Sequence, residues 1–311
     1  MIRRKFMGTL ALGSISLAFG SAKTRNSQKS VSPLRTEGSL RFLQFTDTHV
    51  LEDKDSPKHM ELFLEKAREV IPEPDVIFHT GDVIMDALEI QDRNKVSHQW
   101  KLWHSLKKAL PGKVHYAIGN HDIWGGGPRS DAMYGKKWAL EEMELQHRFY
   151  SFNRGPWKFV VLDSTQTKGD TWYTAFIDDV QKEWLIDELD NTDPQTNVMI
   201  VSHIPILSTS IFDWAKSENG LWSVSGGLMH SDSHDVRAIL RNYPQVRLCI
   251  SGHLHLLDKM SYDGIDYLGS GAVSGSWWRS ETFHGTQCGF SVFDLYPDGS
   301  YKRTYYEYEW Q

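Results

Sequence analysis

Five short polar motifs, each placed directly after a run of apolar residues, constrain the fold of this chain more than any other feature. In chain order they are Asp47-Thr48-His49, Gly81-Asp82, Gly119-Asn120-His121-Asp122, Ser202-His203 and Gly252-His253-Leu254-His255. The apolar runs have the length and composition of buried β-strands. Ligands of open α/β sheets bind beyond the carboxyl ends of the strands, so the five motifs are expected to meet at one edge.

Predicted strands and helices alternate through most of the chain, and predicted hairpins follow. The predicted strands cover residues 40–45, 75–79, 114–118, 197–201 and 246–250, and the predicted helices cover 58–71, 95–110, 132–147, 179–189 and 235–242. Turn sequences such as Asp263-Gly264 predict hairpins over 149–162, 260–268 and 290–308. This order of elements is typical of an α/β layered fold with mixed sheets.

The first residues have the pattern of an export signal. Arg3-Arg4-Lys5 precede a short apolar stretch over 8–20, and Gly20-Ser21-Ala22 offers small residues for cleavage. The arginine pair resembles a twin-arginine signal, although an ordinary export signal or an uncleaved anchor would also fit. We therefore expect an export signal over 1–22, a linker over 23–38, one catalytic domain over 39–311, and a location in the bacterial periplasm.

Composition narrows the classes of partner. The net charge is -6, and the sequence has no marked cluster of basic residues, so no clear nucleic-acid surface is predicted. No membrane span is expected in the mature chain, and the sequence does not specify an oligomeric state. With two cysteines there is no disulfide framework. Cys249 lies in an apolar run and is expected to be a small buried side chain, with a single bridge to Cys288 left open.

The residue types in the five motifs favour metal binding. Asp47 and His49 are two apart on extended backbone, so both side chains can point to one side, and the same holds for His253 and His255. A mixed set of imidazole nitrogens and carboxylate oxygens suits several divalent ions without selecting one. Each motif alone is weak evidence, because a single histidine is usually a surface or core residue. Their joint occurrence after successive strands predicts a metal centre with Asp82 as the candidate bridging ligand.

The order D-x-H, G-D, G-N-H-D, H, G-H-x-H resembles the signature of the calcineurin-like metallophosphoesterase superfamily over about residues 40–270, with every position filled. The resemblance implies a four-layer α/β/β/α sandwich of two mixed β-sheets flanked by helices, with a site for two divalent metal ions (Fe, Mn or Zn). It assigns one ion to Asp47, His49 and His255, the other ion to Asn120, His203 and His253, and the bridging position to Asp82.

Two-metal chemistry then gives the expected reaction, attack on phosphorus by a hydroxide held between the ions. His121 is expected to face the phosphate, since its neighbour Asn120 points to a metal, and to protonate the leaving oxygen or stabilise its charge. Asp122 is expected to orient His121, or else to cap a helix. Purple acid phosphatases carry a tyrosine three residues after the bridging aspartate, where this chain has Met85. A thioether is a poor ligand for ferric iron, so no Fe(III)–tyrosinate site is expected.

Substrate residues are predicted in the glycine-rich segment 269–279. Trp277 or Trp278 could stack on a base or a sugar, and Arg279 could hold a second phosphate. A turn that merely completes the sheet is the alternative. The predicted activity is hydrolysis of phosphate mono- or diesters, with small nucleotide-like or cyclic-nucleotide-like substrates favoured. The alternatives are a nuclease or phospholipid phosphodiesterase with the same centre, and a protein that only binds metal or phosphate.

Overall fold

The computed structural model describes residues 36–53, 55–169, 171–308 and 310. The predicted export signal and residues 23–35 of the predicted linker lie outside the described residues. None of the described helices is long and apolar enough to cross a membrane.

Strands and α-helices are interspersed over residues 40–240, and the described elements over residues 246–307 are all strands. The strands are β1 (Leu40–Phe45), β2 (Val76–His79), β3 (Val114–Tyr116), β4 (Tyr150–Arg154), β5 (Trp157–Val161), β6 (Thr165–Lys168), β7 (Thr171–Ala175), β8 (Asn197–Val201), β9 (Lys216–Glu218), β10 (Leu221–Ser223), β11 (Val246–Ser251), β12 (Asp258–Tyr262), β13 (Ile265–Gly269), β14 (Gly289–Leu295) and β15 (Tyr301–Glu307). The α-helices are α1 (Ser56–Val70), α2 (Arg93–Leu106), α3 (Lys137–Glu142), α4 (Asp179–Asp190) and α5 (Ser233–Leu240).

Two mixed sheets form the centre of the fold. The first has the strand order β15-β14-β1-β2-β3, with β1, β2 and β3 parallel and β14 antiparallel to β1. The second has the order β12-β13-β11-β8-β5-β4, with four parallel strands between antiparallel edges. Each sheet has helices on its outer face, because parallel strands need covered crossover connections.

The sheets face each other across a buried apolar layer. Along β1 the side chains alternate, so that Phe42 points to the second sheet while Leu43 and Phe45 point to the helices. Phe42 stacks on Phe293 with a ring distance of 4.6 Å and meets Phe159 edge-on at 6.1 Å. Both faces of β1 are therefore buried, which explains its nearly continuous apolar sequence.

Helices complete the outer two layers. In α1, Met60, Phe63, Leu64 and Ala67 recur at helical spacing and pack on the first sheet together with α2. Helices α4 and α5 cover the second sheet. The layers are therefore helix, sheet, sheet and helix, which confirms the α/β/β/α sandwich expected from the sequence.

Local predictions succeeded where apolar patterning was strong. The predicted bounds of β1 and β8 agree with the structure, and the three predicted hairpins are present. The predicted helix over 132–147 is wrong in extent, since only 137–142 is helical. Lys136 instead pairs with the buried carboxylate of Asp163, and Gly135 forms a bridge with Trp124. These tertiary contacts hold the segment before α3 in a turn conformation.

Two short hairpins, β6–β7 and β9–β10, were not predicted. Their strands are only three to five residues long, too short to show a clear alternation of apolar and polar residues. The two cysteines are free and buried, and they lie in different apolar clusters. Cys249 is therefore the small core side chain that its sequence suggested.

Replacing Phe42 with alanine should lower the free energy of unfolding by about 3–5 kcal/mol, because it removes a fully buried ring between the two sheets. Leu221→Ala is the control, since Leu221 is 74% exposed and its truncation should change stability by less than about 0.5 kcal/mol. Urea denaturation followed by circular dichroism measures both. Equal effects of the two substitutions would contradict the described layer.

Candidate metal centre

The five motifs meet at one edge of the sandwich, where strands of both sheets end. In the first sheet, β1 is followed by Asp47, β2 by Asp82 and β3 by Asn120. In the second sheet, β8 is followed by His203, and β11 is followed by His253 and His255. The side chain of Gln44 links the sheets just beneath this edge. Its Nε2 lies 3.3 Å from Thr80 Oγ1 and 3.2 Å from the carbonyl oxygen of Ser251.

One group of donors gathers around Asp47. Its Oδ1 lies 3.3 Å from His255 Nε2 and 3.9 Å from His49 Nε2, and the two imidazole nitrogens are 3.2 Å apart. The other ring nitrogen of His255, Nδ1, donates a hydrogen bond to the carbonyl oxygen of Gly275 at 2.7 Å. Asp82 Oδ2 completes the group, 3.8 Å from His49 Nε2. These four side chains are buried.

A second group gathers around His203. Its Nε2 lies 3.2 Å from Asn120 Oδ1, 3.2 Å from His253 Nδ1 and 3.2 Å from Asp82 Oδ2. Asp82 Oδ2 therefore belongs to both groups. The structure brings together all seven residues that the sequence singled out as ligands.

Backbone carbonyls determine which nitrogen of each imidazole carries the proton. His203 Nδ1 donates to the carbonyl of Thr80 at 2.8 Å, and His253 Nε2 donates to the carbonyl of Gly227 at 2.9 Å. In the neutral rings the remaining nitrogens, His203 Nε2 and His253 Nδ1, then carry lone pairs. These lone pairs face each other at 3.2 Å beside a carboxylate oxygen, an arrangement that needs a positive charge at its centre.

The oxygen atoms of Asp47 and Asn120 also favour a positive charge at the centre of the site. Asp47 Oδ1 is buried and has no hydrogen-bond partner within the described part of the chain. Asn120 presents its oxygen to the same group, so the donors are nitrogens and oxygens of the kind that bind Fe, Mn and Zn. The residues present therefore fit a pair of divalent cations.

The pKa values in the site reflect the same charge imbalance. Burial lowers the pKa of His203, but the carboxylates of Asp82 and Asp47 overcome this effect and raise it to about 9. Burial and the neighbouring charge of His203 lower the pKa of His253 to about 3. Burial alone would raise the pKa of Asp82, yet the nearby imidazoles of His203 and His121 hold it well below its usual value. The carboxylates thus stay ionised and attract positive charge.

The backbone at the site is unusual. Asp47, His49, Asp82, His253 and His255 have φ angles between 41° and 71°, in the left-handed region. Non-glycine residues in this region cost on the order of 1–3 kcal/mol each and concentrate at functional sites. The turns direct the side chains of successive motif residues to a common point instead of alternating them across a sheet.

Two glycines allow this crowding. Gly81 has a φ of 100°, and a Cβ there would collide with the ring of His203. A Cβ at Gly119 would collide with the backbone nitrogen and carboxylate of Asp82. Glycine is therefore needed at Gly81 for its conformation and at both positions for close approach.

The role expected for Asp122 is wrong. Its carboxylate accepts hydrogen bonds from the backbone nitrogens of Asp82 (3.0 Å), Val83 (2.8 Å), Ile84 (3.3 Å) and Gly119 (2.9 Å). It neither caps a helix nor orients His121, because both carboxylate oxygens are used by backbone amides. Asp122 instead holds the loop that carries Asp82, whose Oδ2 belongs to both donor groups.

His121 is oriented by backbone groups. Its Nδ1 donates to the carbonyl of Met85 at 2.6 Å, and its backbone nitrogen donates to Asp82 Oδ1 at 2.8 Å. The ring meets His49 edge-on at 4.7 Å, and one ring nitrogen lies within 4.8 Å of donor atoms of His49 and Asp82. His121 thus borders the first group of donors and is partly exposed.

The predicted substrate residues separate into different environments. Trp277 is partly exposed, and its ring lies 4.3 Å from that of His255 and 6.1 Å from that of His49. The prediction that Trp278 could stack on a substrate is wrong. Its side chain is only 4% exposed, and its indole N–H donates to the carbonyl of His49 at 2.9 Å. It supports the site from the core and cannot stack on a substrate. Arg279 is exposed, and its role stays a prediction.

Sequence reasoning missed Tyr173 in β7. Its ring meets that of His253 edge-on at 5.9 Å, and burial together with the charges of Asp82 and Asp47 raises the pKa of its hydroxyl. The run Thr171-Trp172-Tyr173-Thr174 is rich in β-branched and aromatic residues, which was a signal for a strand. Nothing in the local sequence indicates that this strand borders the motifs.

The geometry gives two donor groups that share one carboxylate oxygen, and comparisons with known proteins identify the class of protein. Residues 40–257 match the family model of the calcineurin-like phosphoesterases. The chain belongs to this family, and it is a metallophosphoesterase, a hydrolase of phosphoric ester bonds.

Known relatives and folds are consistent with this membership. The chain is 28% identical to a 3',5'-cyclic-nucleotide phosphodiesterase of Nostoc over 84% of its own length and 90% of the relative's. It is 24% identical to the 3',5'-cyclic adenosine monophosphate phosphodiesterase of Escherichia coli over 75% of each chain. The fold is similar to that of a dimetal phosphatase from Danio rerio, with a TM-score of 0.60 and 15% identity over 83% of this chain and 93% of that one.

Asp122→Ala should reduce both stability and metal content, because four backbone amides around Asp82 lose their acceptor. We expect a loss of about 2–5 kcal/mol in unfolding free energy and fewer than two bound ions by elemental analysis. Asp258→Ala is a matched control, since Asp258 also accepts from backbone amides, those of Thr209 and Ser210, but lies outside both donor groups. Unchanged metal content in Asp122→Ala would contradict the role assigned to Asp122.

Proposed function

We propose that the protein hydrolyses small phosphodiesters, with 3',5'-cyclic nucleotides as the favoured substrates, at a centre of two divalent metal ions. One ion would be held by Asp47, His49 and His255, the other by Asn120, His203 and His253, and both by Asp82. The observation that carries the proposal is the shared oxygen, Asp82 Oδ2, which faces Nε2 of His49 at 3.8 Å and Nε2 of His203 at 3.2 Å.

Such ions, when bound, would supply an activated water and would neutralise charge on the phosphate. The chain's own groups keep the donors ready for them. The Thr80 and Gly227 carbonyls hold the histidine tautomers whose lone pairs point inward. The mixed nitrogen and oxygen donors suit Fe, Mn or Zn, and we propose one of these metals for each site.

His121 is the proposed catalytic side chain. Its Nδ1–H is engaged by the Met85 carbonyl at 2.6 Å, so Nε2 is the nitrogen left to meet a substrate. Its ring lies against His49 at the partly exposed rim of the first donor group. From there the imidazolium form, which carries a proton on Nε2 as well as on Nδ1, can give the Nε2 proton to the leaving oxygen or stabilise its negative charge.

Three observations support small organic phosphoesters as substrates. The relatives named above act on cyclic nucleotides. Trp277 presents a partly exposed aromatic face beside His255, where a base or sugar could stack. The net charge of -6 disfavours polymeric nucleic acid, which basic surfaces bind.

We also propose that the protein is exported and acts in the bacterial periplasm. The arginine pair and the short apolar stretch at residues 3–20 support export. Fractionation of cells that express the full chain would test this, and accumulation of the uncleaved protein in the cytoplasm would contradict it.

A substrate screen tests the proposed activity. Protein reconstituted with Mn, Zn or Fe is assayed on bis-p-nitrophenyl phosphate, 3',5'-cyclic AMP, 5'-AMP, a phospholipid diester and single-stranded DNA. We expect turnover of bis-p-nitrophenyl phosphate and of cyclic AMP above that of the other three. Preference for the lipid or for DNA would favour the related hydrolases, and no hydrolysis with any metal would favour a protein that only binds metal or phosphate.

His121→Ala should leave two bound ions while lowering kcat by about 10²- to 10⁴-fold, because it removes the proposed proton donor without removing a proposed ligand. His98→Ala, at an exposed position of α2, is the control and should match the wild type. Steady-state kinetics and elemental analysis measure both. Loss of metal from His121→Ala would show that His121 is a ligand and would overturn its assigned role.

The presence of Met85 three residues after Asp82 predicts the absorption spectrum of the iron-loaded protein. Because a methionine stands where purple acid phosphatases have their ligating tyrosine, iron-loaded protein should show no strong visible phenolate charge-transfer band. The measurement is an absorption spectrum of protein reconstituted with iron and oxidised. A strong band would mean that a tyrosine elsewhere reaches the iron.

A further inference from the structure

The β6–β7 hairpin contacts two loops that border the candidate metal centre, one around Gly125 and one around Gly226. Trp172 lies against the loop that follows the Asn-His-Asp motif, since a Cβ on Gly125 would be 3.0 Å from its ring. Thr174 Oγ1 donates to the carbonyl of Gly226 at 3.1 Å, on the loop whose next residue, Gly227, holds His253. Tyr173 stands between these two anchors.

The ring of Tyr173 is fixed in place beside the second donor group. It meets the His253 ring edge-on at 5.9 Å with an interplanar angle of 87°. On another side it is close to Gly227, where an added Cβ would lie 3.0 Å from Tyr173 Cε2. The ring therefore has little freedom, which keeps the position of its hydroxyl well defined.

The hydroxyl itself has no partner within the described part of the chain. By contrast, the partly exposed tyrosines Tyr150 and Tyr305 donate to the carbonyls of Tyr116 and Gln287. Tyr173 is partly exposed, so its hydroxyl can meet a molecule that enters from solvent. A fixed ring with an unused donor beside a proposed metal site is suited to a ligand that accepts hydrogen bonds.

We propose that the Tyr173 hydroxyl donates a hydrogen bond to an oxygen of the substrate phosphate beside His253. The inference rests on the proposed function, and it names a contact beside His253 of the second donor group, whereas Trp277 packs on His255 of the first. The phosphate would thus lie between Tyr173 and His121, while the organic group extends towards Trp277. A hydrogen bond to a charged oxygen is stronger than one between neutral groups.

The test uses the full chain loaded with Mn²⁺ and the substitution Tyr173→Phe, which removes the hydroxyl and keeps the ring. Orthophosphate binding is measured by calorimetry, kcat and KM are measured on bis-p-nitrophenyl phosphate, and bound metal is measured by elemental analysis. We expect two bound ions, orthophosphate binding weakened by about tenfold to a hundredfold, and a similar loss in kcat/KM. Tyr262→Phe is the matched control, because Tyr262 is 49% exposed at the end of β12 and should behave as the wild type.

Several outcomes would overturn the contact. Orthophosphate affinity and kcat/KM equal to the wild type would show that the hydroxyl touches no phosphate. Loss of metal from Tyr173→Phe would show that the residue only positions His253. A visible phenolate band in the iron-loaded wild type that disappears in Tyr173→Phe would make Tyr173 a metal ligand. If the wild type hydrolyses no ester but the substitution still weakens orthophosphate binding, the contact stands and the proposed hydrolase function fails.

Discussion

The structure of the metal centre depends on the position of Asp82. This residue has left-handed backbone, and its carboxylate lies between the two donor groups, with Oδ2 facing His49 on one side and His203 on the other. Four backbone amides bound to the buried carboxylate of Asp122 hold the loop in place. A buried, ionised oxygen beside imidazole nitrogens attracts positive charge, whether as a proton on His203 or as a metal cation, so the same feature that orders the loop also favours cation binding.

The sandwich makes this arrangement possible because it brings the ends of two sheets together. The first sheet contributes the donors Asp47, His49, Asp82 and Asn120, and the second contributes His203, His253 and His255. The apolar layer around Phe42 holds the sheets face to face, and Gln44 joins them by hydrogen bonds next to the ligands. Strained turns at five of the donor residues can persist because these surroundings determine their conformation. Stability of the core and geometry of the site are thus linked through the same strands.

Much of the fold and of the ligand set could be predicted from the sequence. Strands such as β1 and β8 are buried on both faces, and their apolar runs stand out against polar motifs at their ends. The predictions from sequence were wrong at positions where contacts between residues far apart in the chain determine the structure. The Lys136–Asp163 ion pair shortens the predicted helix before α3, and Asp122 serves backbone amides that no local pattern reveals. Trp278 looked like its neighbour Trp277 in sequence, yet only tertiary packing buries one and leaves the other at the site.

The sequence by itself determined the α/β class, the order of the main apolar strands and helices, and the identity of the seven clustered donors, because apolar periodicity and residue chemistry are local properties. Only the tertiary structure decided the distances among those donors, the tautomers selected by the carbonyls of Thr80 and Gly227, and the presence of Tyr173 beside His253. These features arise between residues far apart in the chain, and their geometry depends on how two sheets and a polar hairpin pack together.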